Sequence, residues 1–364
     1  MSTDQESEQD LEPAAPHPLA PSEAPPTLLP ADYGPELAER LVDLDRAAAL
    51  AAAQKRPANT RRAYASDWKA WVRFTEAFGV PVTAAAHQPG GRGLLRTYVA
   101  WLWEQGGERG RPLAPTTIDR RLAGLAVTLR REYGTLIPPE YTETARELLK
   151  DLKKEAKAAK ESDRGRGQAP ALRLESLRAI ARACPDTLSG LRDRFTVLLA
   201  FTIAARRHEA AALFGRDLVL VEEGMLVNVE VSKTHPRQVA VPYSSDPVLC
   251  PVRTWLEWKE AAGIEPDTPA LRRMHRTGSV TRAGLSPQSV GTIITEAGQR
   301  AGLNVRFTGH SARRGFITES ARAKKDRKAI AKVSGHVDGS RALEGYIELA
   351  NRFGDEENAI KGIM

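Results

Sequence analysis

Apolar residues recur at helical spacing along most of this chain, and the pattern turns into strand-like alternation in one stretch, Leu218 to Tyr243. That switch limits the fold more than any other feature. Tyr64, Trp68, Trp71, Phe74 and Phe78 follow one another at steps of four, three, three and four. The spacing puts five rings on one face of a helix over about 60–78. A second helix is expected over 93–105, rich in Leu, Tyr and Trp. Pro115-Thr116-Thr117 opens a third, which buries Ile118, Leu122, Leu125 and Leu129. A fourth, about 142–160, ends in a lysine-rich run. Further helices are expected at 174–184, 191–205, 251–262 and 286–301, and from Ala312 and Lys325 onward. Within the alternating stretch, LVLVE, MLVNVEV and QVAVPY read as three short strands, turned at Glu223-Gly224 and Thr234-His235-Pro236. The expected class is mainly α with a small antiparallel β-sheet.

A length of 364 residues suits roughly two domains at about 150 residues each and needs no disulfide or metal to complete a core. Residues 1–36 hold eight acids, eight of the 24 prolines and no Lys or Arg, a composition expected to stay disordered. Residues 37–56 read as a helical lead-in, 57–160 as a helical domain, 161–170 as a linker and 171–364 as a second domain. Beyond residue 36, 53 basic residues face 38 acidic ones, a net +15 against +7 for the whole chain. A basic body of this kind is the electrostatic footprint of a polyanion-binding protein. Cys184 and Cys250 are too few for a disulfide framework or a cysteine zinc site. No apolar run nears the ~20 residues of a membrane span, and MSTDQESEQD has no signal-peptide pattern. A cytoplasmic protein without membrane attachment is expected.

Four local signals carry chemistry. Arg206-Arg207-His208-Glu209 follows an apolar helix. Lys233 lies at a strand-to-strand turn. His310 and Arg313 stand in TGHSARRG, and Gly335-His336 precedes Tyr346 by ten residues. Together the arginines, lysine and histidines supply donors and positive charge for a phosphodiester whose non-bridging oxygens gain charge during in-line displacement. A tyrosine hydroxyl can form a covalent intermediate. The sequence has no acidic cluster for Mg²⁺ and no phosphate-binding loop for ATP, so neither a metal nor another cofactor is expected. Tyrosine attack without metal or nucleotide points to reversible transesterification of DNA.

The order Arg206, Lys233, His310-x-x-Arg313, His336, Tyr346 resembles the tyrosine recombinase, or phage integrase, family over roughly residues 57–364, and most of all its Cre-type branch. The resemblance implies a two-domain DNA clamp: a helical core-binding domain and a mixed α/β catalytic domain. It implies that Tyr346 attacks the scissile phosphate to give a 3′-phosphotyrosyl link. Arg206 and Arg313 would grip the non-bridging oxygens and His336 would add a donor. His310 would handle the tyrosine proton, Lys233 would protonate the leaving 5′ oxygen, and Glu209 would brace Arg206. Arg61, Arg62, Lys69, Arg73, Arg120 and Arg121 in the helical domain are expected to face DNA. His336 to Tyr346 is one residue longer than is usual in the family, and Ala312 stands where Leu is commoner.

The implied partner is double-stranded DNA carrying a specific recombination site, cut and rejoined through a Holliday junction. The implied assembly is a homotetramer on DNA and a monomer when free, with the enzyme on the nucleoid while bound. Ala359, Ile360, Ile363 and Met364 form an apolar stripe near the C-terminus. The resemblance makes that tail, 356–364, a contact to the neighbouring subunit. Two other readings use the same residues: a type IB topoisomerase-like relaxing enzyme, and a DNA-binding protein of the same fold that does not cleave.

Overall fold

The computed structural model describes residues 58–106, 112–159, 164, 167–230 and 236–351, with scattered positions between 34 and 48. The acidic N-terminal segment, half of the 161–170 linker, Lys233 and the 356–364 tail fall outside the described residues. The described positions between 36 and 48 are helical and exposed. The chain divides into two compact units, residues 1–167 and 168–364.

In the first unit the aromatic stripe needs partners, and three further helices provide them. These are α1 (Ala58–Phe78), α2 (Gly91–Glu104), α3 (Pro115–Glu132) and α4 (Pro139–Ala158). Trp68, Trp71 and Phe74 are buried, together with Leu95, Tyr98 and Leu102 of α2 and Ile118, Leu122, Leu125 and Leu129 of α3. Each such side chain contributes ~1.5–3 kcal/mol by leaving water. Trp71 meets Tyr98 edge-on at 4.9 Å, and its indole N–H donates to the Val82 carbonyl at 2.8 Å. Phe78 ends the stripe and is largely exposed. Prolines open α3 and α4, where a missing N–H costs nothing.

Arg61, Arg62, Lys69 and Arg73 are exposed on α1. Arg121 is not available to DNA. It is buried, and its guanidinium donates to the Gly106 carbonyl at 2.9 Å. Arg120, half-exposed, is ion-paired to Asp67. The reason lies on α1: Asp67 is fully buried, and a buried carboxylate requires cations from the facing helix. Gly124 makes the approach possible, since a Cβ there would lie 2.6 Å from Asp67 Oδ2.

The second unit runs α5 (Leu174–Ala183), α6 (Leu188–Thr202), α7 (Arg207–Ala211), β1 (Leu218–Val221), β2 (Gly224–Val229), β3 (Arg237–Pro242), α8 (Pro251–Ala261), β4 (Arg272–Met274), β5 (Val280–Gly284), α9 (Pro287–Arg300), α10 (Gly309–Arg322), α11 (Arg327–Ser334) and α12 (Arg341–Asn351). Strands β1, β2 and β3 form an antiparallel sheet in that order, with Val227 opposite Leu218 and Val239. Met225, Val227, Val229, Val239 and Val241 point into a core that includes Phe195, Trp255 and Trp258. A second antiparallel hairpin, β4–β5, lies outside the sheet expected from the sequence. Its strands are three and five residues long with half-exposed faces, so no apolar alternation marks them. The helical pattern from Lys325 onward divides into α11 and α12 at Gly335, which takes a left-handed φ of 62° that favours glycine. A small cluster of Ile317, Ala321, Ile330, Ala331, Leu343 and Ala350 holds α10, α11 and α12 together.

Candidate active site

Three chain reversals bring the charged residues of this unit together. The first ends α6. Ala204 adopts a left-handed φ of 48°, which for an alanine costs ~1 kcal/mol. Its carbonyl accepts from Nη1 of Arg313 at 2.8 Å. Arg206 then caps α7 in an extended conformation. Glu209, three residues on, reaches back: its carboxylate accepts the Arg206 backbone N–H at 2.9 Å and Arg206 Nη1 at 2.7 Å. A third donor is Arg237 Nη2, at 2.9 Å. Burial alone would raise the Glu209 carboxyl, but the hydrogen bonds from Arg237 and Arg206 outweigh it and hold the pKa at about 2.

The second reversal is the start of α10. The Thr308 hydroxyl accepts from the His310 N–H, and the Thr308 N–H donates to Ser311 Oγ at 2.9 Å. This reciprocal cap places His310 and Arg313 in the first turns of the helix. His310 is exposed. Partial desolvation of the ring, then the positive charges of Arg207, Arg313, Arg206 and His208, hold its pKa below the ordinary value, so its ring is neutral at pH 7. The stem of Arg207 is seated against two glycines. A Cβ at Gly291 would come within 2.9 Å of it, and one at Gly309 within 2.3 Å. Its Nη1 donates to Gln288 Oε1 at 3.1 Å, which ties α7 to α9 and to the start of α10.

The third reversal follows α11. His336 lies against Arg313, whose Nη2 is 3.0 Å from His336 Nε2. Arginine can only donate, so Nε2 is an acceptor. His336 Nδ1 is 2.9 Å from Ser334 Oγ, and that hydroxyl donates its own proton to the Ile330 carbonyl at 2.7 Å. Arg313 Nη2 is also 3.2 Å from Nδ1, but its shorter approach to Nε2 and the Ser334 contact favour the tautomer whose Nδ1–H donates to Ser334. Burial first, then Arg313, Arg206 and Arg237, lower the His336 pKa to about 4. Arg313 is also buried. Burial and then Arg206 lower its pKa to about 10, which leaves it charged at neutral pH.

Tyr346 projects from α12, its ring 6.2 Å from the His336 ring and tilted by 57°. The guanidinium of Arg314 stands 5.6 Å from the Tyr346 ring centre and donates to the Ala169 carbonyl at 2.6 Å. Arg206, Glu209, His310, Arg313, His336 and Tyr346 thus belong to one cluster, separated in sequence by up to 140 positions. Lys233 belongs to the β2–β3 connection outside the described residues, three residues before Pro236. Among the described residues no group of three or more His, Cys, Asp or Glu is placed to hold a metal ion. No described helix is long and apolar enough to cross a membrane.

Sequence reasoning missed Arg237, Ser334 and the seat of Arg207. For Arg237 a signal existed: in RQVAVP it shares the inward phase of Val239 and Val241, an unusual place for a cation.

The cluster gathers positive charge and donors that suit a phosphate, with a phenol beside them. The sequence profile described as the phage integrase family matches residues 170–352, just over half the chain. The chain is 28% identical over 304 residues to the integrase/recombinase xerD homolog of Selenomonas ruminantium, covering 82% of this chain and 83% of that protein. Among solved structures, a lambda integrase dimer bound to a COC′ core site aligns with a TM-score of 0.55 at 17% identity, over 84% of this chain and 93% of that one. The XerA recombinase aligns with a TM-score of 0.40 at 18% identity, over 79% of this chain and 96% of that one. The lambda integrase match shows a shared fold. None of these matches singles out a Cre-type branch.

Proposed function

The chain belongs to the phage integrase family, and from that premise we propose that it is a site-specific DNA recombinase whose nucleophile is Tyr346. One observation carries the assignment of the site: Arg313 is buried against His336, and the Tyr346 ring is beside that same histidine. Two arginines, two neutral histidines and a tyrosine converge, with a buried carboxylate fixing one arginine from behind.

In the proposed reaction the Tyr346 oxygen attacks phosphorus. The P–Oη bond forms, the P–O5′ bond breaks, and a 3′-phosphotyrosyl ester remains. His310, neutral at pH 7, takes the phenolic proton. Lys233 gives one to the departing 5′ oxygen. Arg206 and Arg313 neutralise the non-bridging oxygens as charge develops on them. His336 is a conditional donor. In the free protein its Nε2 accepts from Arg313; an incoming phosphate takes that arginine, and its negative charge favours a protonated ring that donates to the same phosphate. The ester keeps the bond energy, so a 5′-hydroxyl from a second duplex can reverse the step and yield a Holliday junction.

We assign duplex DNA with a specific site as the substrate, and Arg61, Arg62, Lys69 and Arg73 as phosphate contacts of the helical unit. The residue ranges 57–160 and 171–364 serve as DNA-binding and catalytic domains. Four cleavages per event call for a homotetramer on two sites, with monomers when free and the 356–364 tail as connector. The enzyme acts in the cytoplasm, on the nucleoid.

The test uses a nicked duplex selected from random-sequence DNA by binding to the full chain. Wild type should accumulate an SDS-resistant adduct, and Tyr346→Phe should bind equally and form none. An adduct that survives Tyr346→Phe overturns the assignment. With Lys233→Ala, cleavage should be slow on ordinary DNA and recover on a 5′-bridging phosphorothiolate, whose leaving group needs no proton.

A further inference from the structure

We propose that Arg237 is a positioning residue that sets Arg206 and His336 in register on a single scissile phosphate. The inference rests on the recombinase reading above and concerns a side chain that touches no substrate.

Arg237 opens β3, and its side chain is 7% exposed. Nε donates to the Val333 carbonyl at 2.8 Å. Nη2 donates to the Glu209 carboxylate at 2.9 Å and faces the Ile203 carbonyl at 3.3 Å. The two carbonyls close different helices. Val333 is in the last turn of α11, and Ile203 caps the end of α6. Carbonyls at a helix C-terminus have no partner within the helix and lie at its negative end, so a guanidinium suits both.

Sequence distance gives these contacts their meaning. Val333 precedes His336 by three residues, Ile203 precedes Arg206 by three, and Glu209 follows Arg206 by three. One rigid planar group thus grips the chain just before each of two phosphate-binding side chains, and grips the carboxylate that holds one of them. Its own backbone leads directly out of the segment that carries Lys233. Gly335 leaves the space the head group needs, since a Cβ there would lie 3.3 Å from Nη1.

A simple buried ion pair would need only the Glu209 contact, and such pairs give little net stability. The added carbonyl contacts require the fork of arginine; a lysine ammonium keeps the charge but cannot reach all three acceptors. Displacing a catalytic group by about 1 Å costs on the order of 100-fold in rate.

The experiment compares wild type with Arg237→Lys on the selected nicked duplex, in single turnover. The expected result is DNA affinity within about threefold and cleavage slower by about 100-fold. The same duplex is then made with a methylphosphonate at the scissile position. In one of its two stereoisomers the oxygen that Arg206 would neutralise is a methyl group, and there the difference should shrink to about tenfold or less. An equal loss on native DNA and on both stereoisomers would mean a general structural role and overturn the proposal, as would unchanged cleavage of native DNA. Because Arg237→Lys can strain the core, the double variant Glu209→Gln with Arg237→Met serves as a second probe. It removes both buried charges together and should fold, yet it should lose about as much cleavage. Wild-type cleavage in that double variant overturns the proposal. Failure of wild type to form any Tyr346-dependent adduct would instead overturn the recombinase reading itself.

Discussion

Replacing Glu209 by glutamine keeps the shape of the side chain and removes its charge, at a place where the structure allows a count of what is lost. One carboxylate oxygen accepts from the Arg206 backbone and from Arg237; the other accepts from Arg206 Nη1. Glutamine has one oxygen and one NH₂. If its oxygen faces the two donors, the NH₂ opposes Arg206 Nη1. If it is reversed, the NH₂ opposes both of the others. In either case Arg237, with 7% of its side chain exposed, is a buried cation without a counter-charge. Breaking a buried pair in this way costs about 3–5 kcal/mol. A second route gives a similar figure: a carboxyl held at about 2 against 4.5 for the free side chain contributes ~3 kcal/mol at neutral pH. For a unit of this size, ~3 kcal/mol lowers Tm by roughly 6–12 °C. The sign with pH follows from the lowered pKa. The stabilisation is complete above the unfolded value of 4.5 and is lost as pH falls toward about 2, so the two proteins should converge there. Urea unfolding at pH 7 and near pH 2.5, read by the midpoint at constant m, measures both. A loss under about 1 kcal/mol at pH 7, or a gap near pH 2.5 as large as the one at pH 7, would refute the argument.

The His336 pKa is lowered, so protonation opposes folding, and stability should fall by about 2–3 kcal/mol as pH drops from 6.5 toward 4. His336→Asn should flatten that segment of the stability profile, and an unchanged profile would show that the ring is not buried against Arg313. Arg62→Ala should reduce the slope of log K against log salt by about one, while Arg121→Ala should leave the slope alone and lower the unfolding midpoint of the helical unit. A filter-binding salt series and a urea titration of each variant separate the two roles. Gly309→Ala puts a methyl 2.3 Å from the Arg207 stem and should cost about 1–3 kcal/mol and slow cleavage, because the start of α10 must move; wild-type cleavage would show that the seat is not needed.

Much of this protein is legible in one dimension because the signals are local. The aromatic stripe of α1, the prolines that open α3 and α4, and the alternation of β2 and β3 depend on residues a few positions apart. So do Arg206 with Glu209, the N-cap and third residue of α7, and His310 with Arg313, three apart at the start of α10. The β4–β5 hairpin was not legible, since strands of three and five residues on a half-exposed surface need no apolar period.

The residue types and their order were set by the sequence alone, and with them the class of chemistry. Tertiary structure decided which charges face inward. Arg120 and Arg121 are adjacent in sequence, yet Arg120 is half-exposed while Arg121 is buried beneath the Gly106 carbonyl, because a buried Asp67 on another helix required compensation. It also decided what Arg237 meets: its inward phase on β3 is visible in the sequence, but its joining of Glu209, Ile203 and Val333 is not. Two of those three partners are backbone carbonyls. Every residue carries one, so sequence cannot mark which of them a fold will leave unpaired at a helix end, or which guanidinium will find it.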